Sequence, residues 1–393
     1  MRFHLLLLMA ALLFTGCTSH VRPAGVSYSP AVVEFRNLSP ASFNPNLFNG
    51  SPNFLPDIRS PFLDPLPGPY RNIYAPSIVC LPDHSFRIFF GGWDGTPTGN
   101  DQIYSIDTAD FITFHNRQTV ITHSPYQHVC NVSAVLNPDQ SITLFCTAFP
   151  DSQGLNRIIS IRVPAHPPVT PTPSDLISIK NYPNYSKGDF NGLNPVLYNP
   201  LTHTYQLFFA DFHNFGHIYR ASSTNAHDFT LDADVLDAAL MPNDAKQLSN
   251  LTLLAFHQNG PSLFYSLSAD PLHFPPPKLL ATHLSDADRY IVAVGLVVDQ
   301  HQSLLGFLYG AGAVPSLDHN RIFARWLQRK VIFLTNDGRQ LSPSYSFGPG
   351  RALLDLPSPT IGRLQLYSED GTTLLLNTPP ILLTPGHAYT LQP

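Results

Sequence analysis

The chain has 393 residues, of which 12% are charged and 39 are proline, and its formal net charge at pH 7 is −5. Charged residues are about half as frequent as usual and prolines about twice as frequent. With 43% hydrophobic residues, this composition excludes a disordered chain and favours many short strands joined by turns. The acidic balance and the lack of a basic run predict that nucleic acid is not a partner.

The first residues, MRFHLLLLMAALLFTGCTSH, are typical of a secretory signal. The apolar run from Leu5 to Phe14 is too short to span a bilayer, and the segment LFTGC resembles the lipobox of bacterial lipoproteins. We therefore predict a signal peptide over residues 1–17, lipidation of Cys17, and a membrane partner reached through an N-terminal lipid. Thr18 stands where an aspartate would favour the inner membrane, so we expect a cell-envelope location, at the outer membrane if the host has two. A plain signal peptide with an incidental cysteine is the alternative.

Residues 18–70 are rich in Pro, Asn and Ser and contain one strand-like run, AVVEF. We interpret this segment as a tether and packing arm, and we expect the functional site to lie beyond it.

A repeated unit follows, made of an apolar strand, a polar or glycine-rich turn, and a second strand centred on a pair such as Ile-Tyr. Its copies begin near Ser85, Ser141, Thr204, Leu251 and Ser303, and a period of roughly 50 to 60 residues indicates a propeller or similar array. One further apolar strand precedes each copy. The pattern predicts an all-β fold with a five-bladed β-propeller over residues 71–335, and a β-sandwich is the alternative. The predicted inner strands lie near residues 75–81, 131–137, 194–199, 236–241 and 291–298.

The last segment, residues 336–393, has short alternating strands around Asp370-Gly371 and Pro385-Gly386 turns. We predict a small C-terminal β-unit there, which resembles the PEGA-type modules of surface proteins.

The unit FFGGWDG…NDQIYSIDTADFITF resembles the five-bladed propellers of the glycoside hydrolase family 43 and family 32 superfamily. The resemblance covers about two thirds of the chain. It implies that inner strands point carboxylates into a central funnel, one as general base or nucleophile and one as general acid, with a third that tunes the acid. Glycoside hydrolysis needs such a pair.

This chain departs from that pattern at each inner strand that can be aligned. Ala75-Pro76-Ser77 stands where the family carries Asp-Pro-Ser, and the next two strands offer Asn131 and Asn194. Alanine cannot take a proton, and an amide cannot act as a base. The chain has only two glutamates, Glu34 and Glu369, and neither is predicted on a blade. The sequence therefore predicts little or no hydrolysis.

Four aspartates remain near the predicted funnel mouth, and two of them are alternatively explained by turn chemistry. The four are Asp94, Asp101, Asp189 and Asp211. Our candidates for catalysis are Asp94, Asp101 and Asp211. Our candidates for ligand binding are Trp93, Asp94, Asn131, Asn194 and Asp211. Trp93 would stack on a sugar ring, and packing between blades is the alternative.

The sequence predicts no metal site and no cofactor. His213 and His217 are four residues apart but across a turn, a spacing that does not favour shared metal ligation. In an oxidising compartment Cys130 and Cys146 are predicted to pair across a hairpin, which would leave Cys80 buried and free. Two free, buried cysteines are the alternative.

Three functions remain open from the sequence. The first is a membrane-anchored propeller that binds a carbohydrate or glycan with little hydrolysis. The second is an active glycoside hydrolase that uses aspartates, and the third is a protein-interaction propeller of the envelope. A funnel lined by aromatics and amides would favour the first, and a carboxyl pair about 5 to 10 Å apart would favour the second.

Overall fold

The structure is a computed structural model that describes residues 29–36, 38, 54–57, 59, 61–65, 71–93, 99–183, 185–258, 260–315, 319–345, 351–368 and 371–393. These residues form 29 strands, three short 3₁₀ helices and no α-helix, so the prediction of an all-β fold is confirmed. In this part of the chain no helix has the length and apolar character needed to cross a membrane.

Two short strands precede the repeated sheets, β1 (Ala31–Phe35) and β2 (Phe54–Pro56). The first sheet contains β3 (Asn72–Cys80), β4 (Phe86–Trp93), β5 (Gln102–Thr108) and β6 (His115–Ile121). The second contains β7 (His128–Leu136), β8 (Ile142–Phe149) and β9 (Arg157–Arg162). The third contains β10 (Ser178–Lys180), β11 (Val196–Asn199), β12 (Thr204–Phe209), β13 (His217–Ser223) and β14 (Asp228–Asp237).

The fourth sheet contains β15 (Met241–Leu248), β16 (Leu251–Gln258), β17 (Ser262–Ser268) and β18 (Lys278–Thr282). The fifth contains β19 (Tyr290–Val298), β20 (Leu304–Gly312) and β21 (Arg321–Leu327), and β2 pairs with β21 at its outer edge. The 3₁₀ helices are Pro173–Asp175, Phe212–Asn214 and Asp286–Asp288.

Five strands, one from each sheet, contact one another in a closed order: β3, β7, β11, β15, β19 and β3 again. We interpret them as the inner strands of a propeller and each sheet as a blade. Four of the predicted inner strands overlap β3, β7, β11 and β19. The prediction for residues 236–241 is wrong, because residues 236 and 237 end β14 and the inner strand of the fourth sheet is β15. Its sequence, MPNDAKQL, reads as a polar turn, yet Asn243 and Asp244 are buried in it.

Hydrogen bonds from backbone to side chain join neighbouring inner strands. The N–H of Ala134 donates to Ser77 Oγ at 2.9 Å, and the N–H of Val196 donates to Ser133 Oγ at 3.0 Å. In the fourth sheet Asp244 replaces the serine as acceptor, because its Oδ2 accepts a hydrogen bond from the N–H of Leu296 at 2.7 Å. Each acceptor is buried, so the bond satisfies groups that water does not reach.

The remaining strands are β22 (Val331–Thr335), β23 (Gln340–Leu341), β24 (Ser344–Tyr345), β25 (Arg351–Leu354), β26 (Thr360–Tyr367), β27 (Leu374–Asn377), β28 (Ile381–Leu383) and β29 (Ala388–Leu391). They form two sheets, and β1 lies between β25 and β29 in one of them. β22, predicted to end the propeller, pairs instead with β26. Glu34 makes an ion pair with Arg351 at 2.7 Å, so its carboxylate stabilises this unit rather than a blade.

The predicted pairing of Cys130 with Cys146 is wrong, since all three described cysteines are free. A β-bulge between Cys130 and Ser133 shifts the register, and Cys130 lies opposite Thr147 instead. Residues adjacent in a strand point to opposite faces, so Cys146 is turned away from Cys130. Cys80 is free as predicted, but it is half-buried.

Candidate functional site

A small apolar cluster lies where the inner strands meet, and we call it the floor. Its buried members are Tyr74, Ala75, Leu193 and Ala293, and Cys130 and Val292 pack against them. Three of the five blades and the segment before β11 contribute to it. Ala75 is completely buried. A carboxylate in these surroundings would be unpaired and desolvated, which costs free energy.

The first two blades bend their inner strands in the same way. β3 has a register shift between Tyr74 and Ser77, and β7 has one between Cys130 and Ser133. Ala75 and Asn131 have positive φ values of 52° and 54°. Asparagine tolerates this left-handed conformation, whereas alanine adopts it at a cost of about 1–2 kcal/mol.

The two glycines of the GGW segment make room for two tyrosine rings. A Cβ on Gly91 would lie 3.1 Å from the ring of Tyr74, and one on Gly92 would lie 2.6 Å from the ring of Tyr104. Tyr74 therefore lies flat against its own blade. Its hydroxyl reaches beyond the floor toward Asp101.

Above the floor, three side chains form a hydrogen-bonded network. The Tyr74 hydroxyl donates to Asp101 Oδ1 at 2.6 Å, and His128 Nδ1 lies 2.9 Å from Asp101 Oδ2. The backbone supports this arrangement, because the N–H of Val129 donates to the Asp101 carbonyl at 3.0 Å. The His128 ring also stacks on Phe149, with ring centroids 6.3 Å apart. The Asp101 N–H also points at Nδ1, at a distance of 3.3 Å, so the imidazole is fixed in position with Nδ1 facing Asp101.

This network is open to ligands on one side. The side chains of Asp101 and His128 are 14% and 24% exposed. Nε2 of His128 makes no hydrogen bond to any described residue, so it is the atom of this network that is available to hydrogen-bond a ligand. Burial, with Asp101 nearby, raises the pKa of Tyr74 well above its usual value. Tyr74 therefore stays protonated and acts as a donor to Asp101.

Asp211 and Asp189 have structural roles. Asp211 is completely buried, and its carboxylate accepts from the Tyr182 hydroxyl at 2.8 Å and from the N–H groups of Asp189 and His213 at 2.9 Å. It caps the 3₁₀ helix Phe212–Asn214. Asp189 accepts from the side-chain amide of Asn156 at 2.8 Å. A carboxylate held by three such donors is not available for acid–base work, so the prediction of Asp211 as a catalytic or ligand-binding residue is not supported.

The predicted amide ligands differ in availability. Asn194 is buried, and its amide donates to the Gly192 carbonyl at 3.0 Å. Asn131 is half-buried, and its side chain makes no hydrogen bond to a described residue. It lies in the bulge of β7, three residues after His128. Asp94 lies outside the described residues.

Trp93 lies beside a group of buried polar atoms without partners. It faces Asn72 across the β3–β4 pair, and Asn72 Oδ1 accepts from the N–H of Asn320 at 2.7 Å. Among the described residues, no hydrogen-bond partner is found for the indole N–H of Trp93, the side-chain nitrogen of Asn72 and both polar side-chain atoms of Asn320. Such orphan groups cost about 1–3 kcal/mol each. This end of the blade is therefore suited to polar molecules, whether water or ligand hydroxyls.

His213 and His217 bind different partners. His213 Nδ1 lies 2.7 Å from the Lys187 carbonyl. His217 Nδ1 lies 2.7 Å from Asp234 and 3.0 Å from Asp237 on the outer strand of the third blade. The last three residues form an exposed group of potential metal ligands, but nothing further about them indicates a bound ion.

No family model matches the chain, and no curated protein matches its sequence. Solved structures do match. A glycosyl hydrolase from Bacteroides ovatus is 10% identical with a TM-score of 0.50, and the match covers 73% of this chain and 96% of that one. A candidate glycosidase from Bacteroides thetaiotaomicron VPI-5482 is 11% identical with a TM-score of 0.50, over 70% and 96% of the two chains.

A third similar structure belongs to work on the GH130 family of mannoside phosphorylases, which contains glycoside hydrolases that target β-1,2 mannosidic linkages in Candida mannan. It is 11% identical with a TM-score of 0.50, over 73% of this chain and 96% of that one. Similarity at this level of identity shows a shared fold. This chain therefore has a fold of the glycosidase type.

Sequence reasoning missed His128 and Tyr74. Asp101 and His128 are 27 residues apart, and they meet only because the second blade begins where the β4–β5 connection of the first blade ends. The single signal in the sequence was Asp101 itself, just before the strand QIYSIDT.

Proposed function

We propose that the protein is a lipid-anchored envelope protein whose glycosidase-type propeller binds a carbohydrate at the funnel mouth with little or no hydrolysis. The observation that carries the proposal is the composition of the mouth. Asp101 has a partly exposed carboxylate beside the His128 imidazole. Asp211 is buried, and Asp189, which is also partly exposed, accepts two hydrogen bonds from Asn156, whereas glycoside hydrolysis needs two available carboxyl groups. Nε2 of His128 has no hydrogen-bond partner among the described residues.

Sugar hydroxyls suit these groups. Nε2 of His128 donates or accepts a hydrogen bond according to the tautomer, and the Asn131 amide can both donate and accept. Trp93 is half-buried at the end of β4, and its flat face is of the kind that stacks on a sugar ring. A binding site of this kind needs no second carboxylate.

A glycan-array screen of the chain lacking residues 1–17 tests this function. We expect one class of glycan to bind, and His128→Gln and Asn131→Ala to weaken that binding at least tenfold. His273→Gln is the matched control, because His273 also pairs with an aspartate, Asp270 at 2.8 Å, but on the exposed outer side of the fourth blade. Absence of binding to any glycan would exclude the proposal.

The same preparation tests for catalysis. Turnover of aryl arabinosides, xylosides and fructosides should be undetectable. Robust hydrolysis that disappears in Asp101→Asn would favour the alternative function, an active glycoside hydrolase that uses aspartates.

Anchoring is tested separately. If Cys17 carries the lipid, Cys17→Ser should release the protein from the membrane fraction and abolish its labelling with a lipid precursor. Unchanged fractionation and labelling would exclude the anchor without affecting the carbohydrate proposal.

A further inference from the structure

The sheet formed by β22, β23, β26, β27 and β28 has one buried face and one unusual exposed face. Side chains alternate along β26. Leu364 and Leu366 are buried in the core together with Phe333 and Leu383 of the neighbouring strands. The opposite face would ordinarily be polar in an antiparallel sheet that is solvated on one side.

That opposite face is instead aliphatic. Ile361 and Leu382 lie directly opposite each other in the β26–β28 pair and are 47% and 52% exposed. Leu334 lies opposite Arg363 in the β22–β26 pair and is also exposed. We call these four residues the outer patch.

The charges of this sheet are cationic apart from Asp337 in the β22–β23 turn, which pairs with Arg339 at 2.8 Å. The five strands of this sheet contain no aspartate or glutamate. Arg363 is exposed within the patch, and Lys330 lies over the ring of Tyr367, on the same face of β26, at 5.2 Å from its centroid. In a protein with a net charge of −5, an aliphatic face whose own strands carry positive charge and no carboxylate complements an anionic apolar surface.

The N-terminal segment enters the structure beside the outer patch. The Pro30 carbonyl accepts from the N–H of Gly386 at 3.1 Å, and the His387 carbonyl accepts from the N–H of Val32 at 2.9 Å. Gly386 follows Leu382 by four residues, a distance of at most about 14 Å along the chain. Residues 18–30 separate Cys17 from β1 and span at most about 45 Å.

We propose that the outer patch docks on the surface of the membrane that holds the protein, with Ile361, Leu382 and Leu334 at the acyl boundary and Arg363 at anionic headgroups. The proposal rests on the proposed lipid at Cys17 for its geometry. The docked patch would add a second contact with the membrane to the lipid at Cys17. Docking would also fix the orientation of the propeller relative to the membrane.

The test uses vesicles and the chain that lacks residues 1–17, so its result does not depend on whether Cys17 is lipidated. We expect the chain to co-sediment with vesicles of equal parts phosphatidylcholine and phosphatidylglycerol. Ile361→Ser combined with Leu382→Ser should weaken this binding at least fivefold. Arg363→Gln should weaken binding to these vesicles but not the weaker binding to pure phosphatidylcholine.

Leu201→Ser is the matched control, because Leu201 is 90% exposed on a turn of the third blade and should leave binding unchanged. Thermal unfolding of each variant verifies that it is folded. No co-sedimentation, or equal co-sedimentation of the double variant, would overturn the proposal. A dimer in sedimentation velocity that the double variant abolishes would also overturn it, since the patch would then bind a second copy of the chain.

Discussion

The inner strands of the first and second blades adopt the same bend with different residues. Both shift register over three residues, both place a left-handed residue there, and both then use a serine to bind the next blade. One left-handed residue is Ala75, completely buried in the floor, and the other is Asn131, half-buried at the mouth. The two bends thus share a backbone geometry, but the first presents a methyl group and the second an amide.

We expect the largest loss of stability from a substitution that disrupts packing against the bend of the first blade. A Cβ on Gly295 would lie 2.2 Å from the Pro76 carbonyl, so Gly295→Ala must push the first and fifth blades apart. We expect a loss of about 3 kcal/mol or more in the free energy of unfolding, measured by urea denaturation. Gly154→Ala is the control, because Gly154 has a left-handed φ of 77° but open space around it. It should lose only about 1–2 kcal/mol, and equal losses in the two variants would contradict the packing argument.

Introducing a carboxylate at position 75 should not produce hydrolysis of glycosides. Ala75→Asp buries a carboxyl group among Tyr74, Leu193 and Ala293, so we expect a loss of about 2–3 kcal/mol in stability and no hydrolysis of aryl glycosides. Denaturation and a chromogenic assay measure the two outcomes. Hydrolytic activity in a stable Ala75→Asp variant would show that the floor is an intact active site lacking a single group.

The two serines should be equivalent. Ser77→Ala and Ser133→Ala each leave a buried N–H of the next blade without its acceptor, which costs about 1–2 kcal/mol. Urea denaturation of both variants compares the blades directly. A loss confined to one serine would mean that the bend has a different role in each blade.

The smallest effect is a pH dependence from the fourth blade, where Asp244 replaces the serine. Burial raises the pKa of Asp244, against the opposing effect of Lys246 at 3.2 Å. Because the folded state then binds the proton more tightly than the unfolded state, stability due to this group is present below pH 4 and is lost as pH rises through the raised pKa. The stability of the protein relative to Asp244→Asn should therefore fall as pH rises from 4 to 7 in urea titrations. A constant or rising difference would contradict the direction of the shift.

The regular spacing of the repeated unit was sufficient to predict the all-β fold and four inner strands, because apolar strands and turns recur along the sequence. It failed at β15, where Asn243 and Asp244 are buried among hydrogen-bond partners from the fifth blade that only the tertiary structure brings near. The cysteine pairing failed for a related reason. A bulge inserts residues into one strand, and neither Asn131 nor its neighbours indicate where it occurs.

The candidate site was predictable only in part. Ala75 is visible in the sequence, whereas its burial among Tyr74, Leu193 and Ala293 is visible only in the structure. Asp211 was predicted as a site residue because the sequence alone does not distinguish an aspartate that caps a helix from one that catalyses a reaction. His128 can be recognised as a site residue only from its contact with Asp101. That contact depends on how the first and second blades pack against each other.

The most direct test of a binding propeller without hydrolysis is to incubate the protein with the oligosaccharide it binds most tightly and to follow both partners by NMR. We predict that the ¹⁵N signal of His128 Nε2 shifts on binding while the anomeric proton signals of the oligosaccharide stay unchanged. New reducing-end signals that are absent with Asp101→Asn would contradict the account, as would tight binding that leaves His128 unaffected.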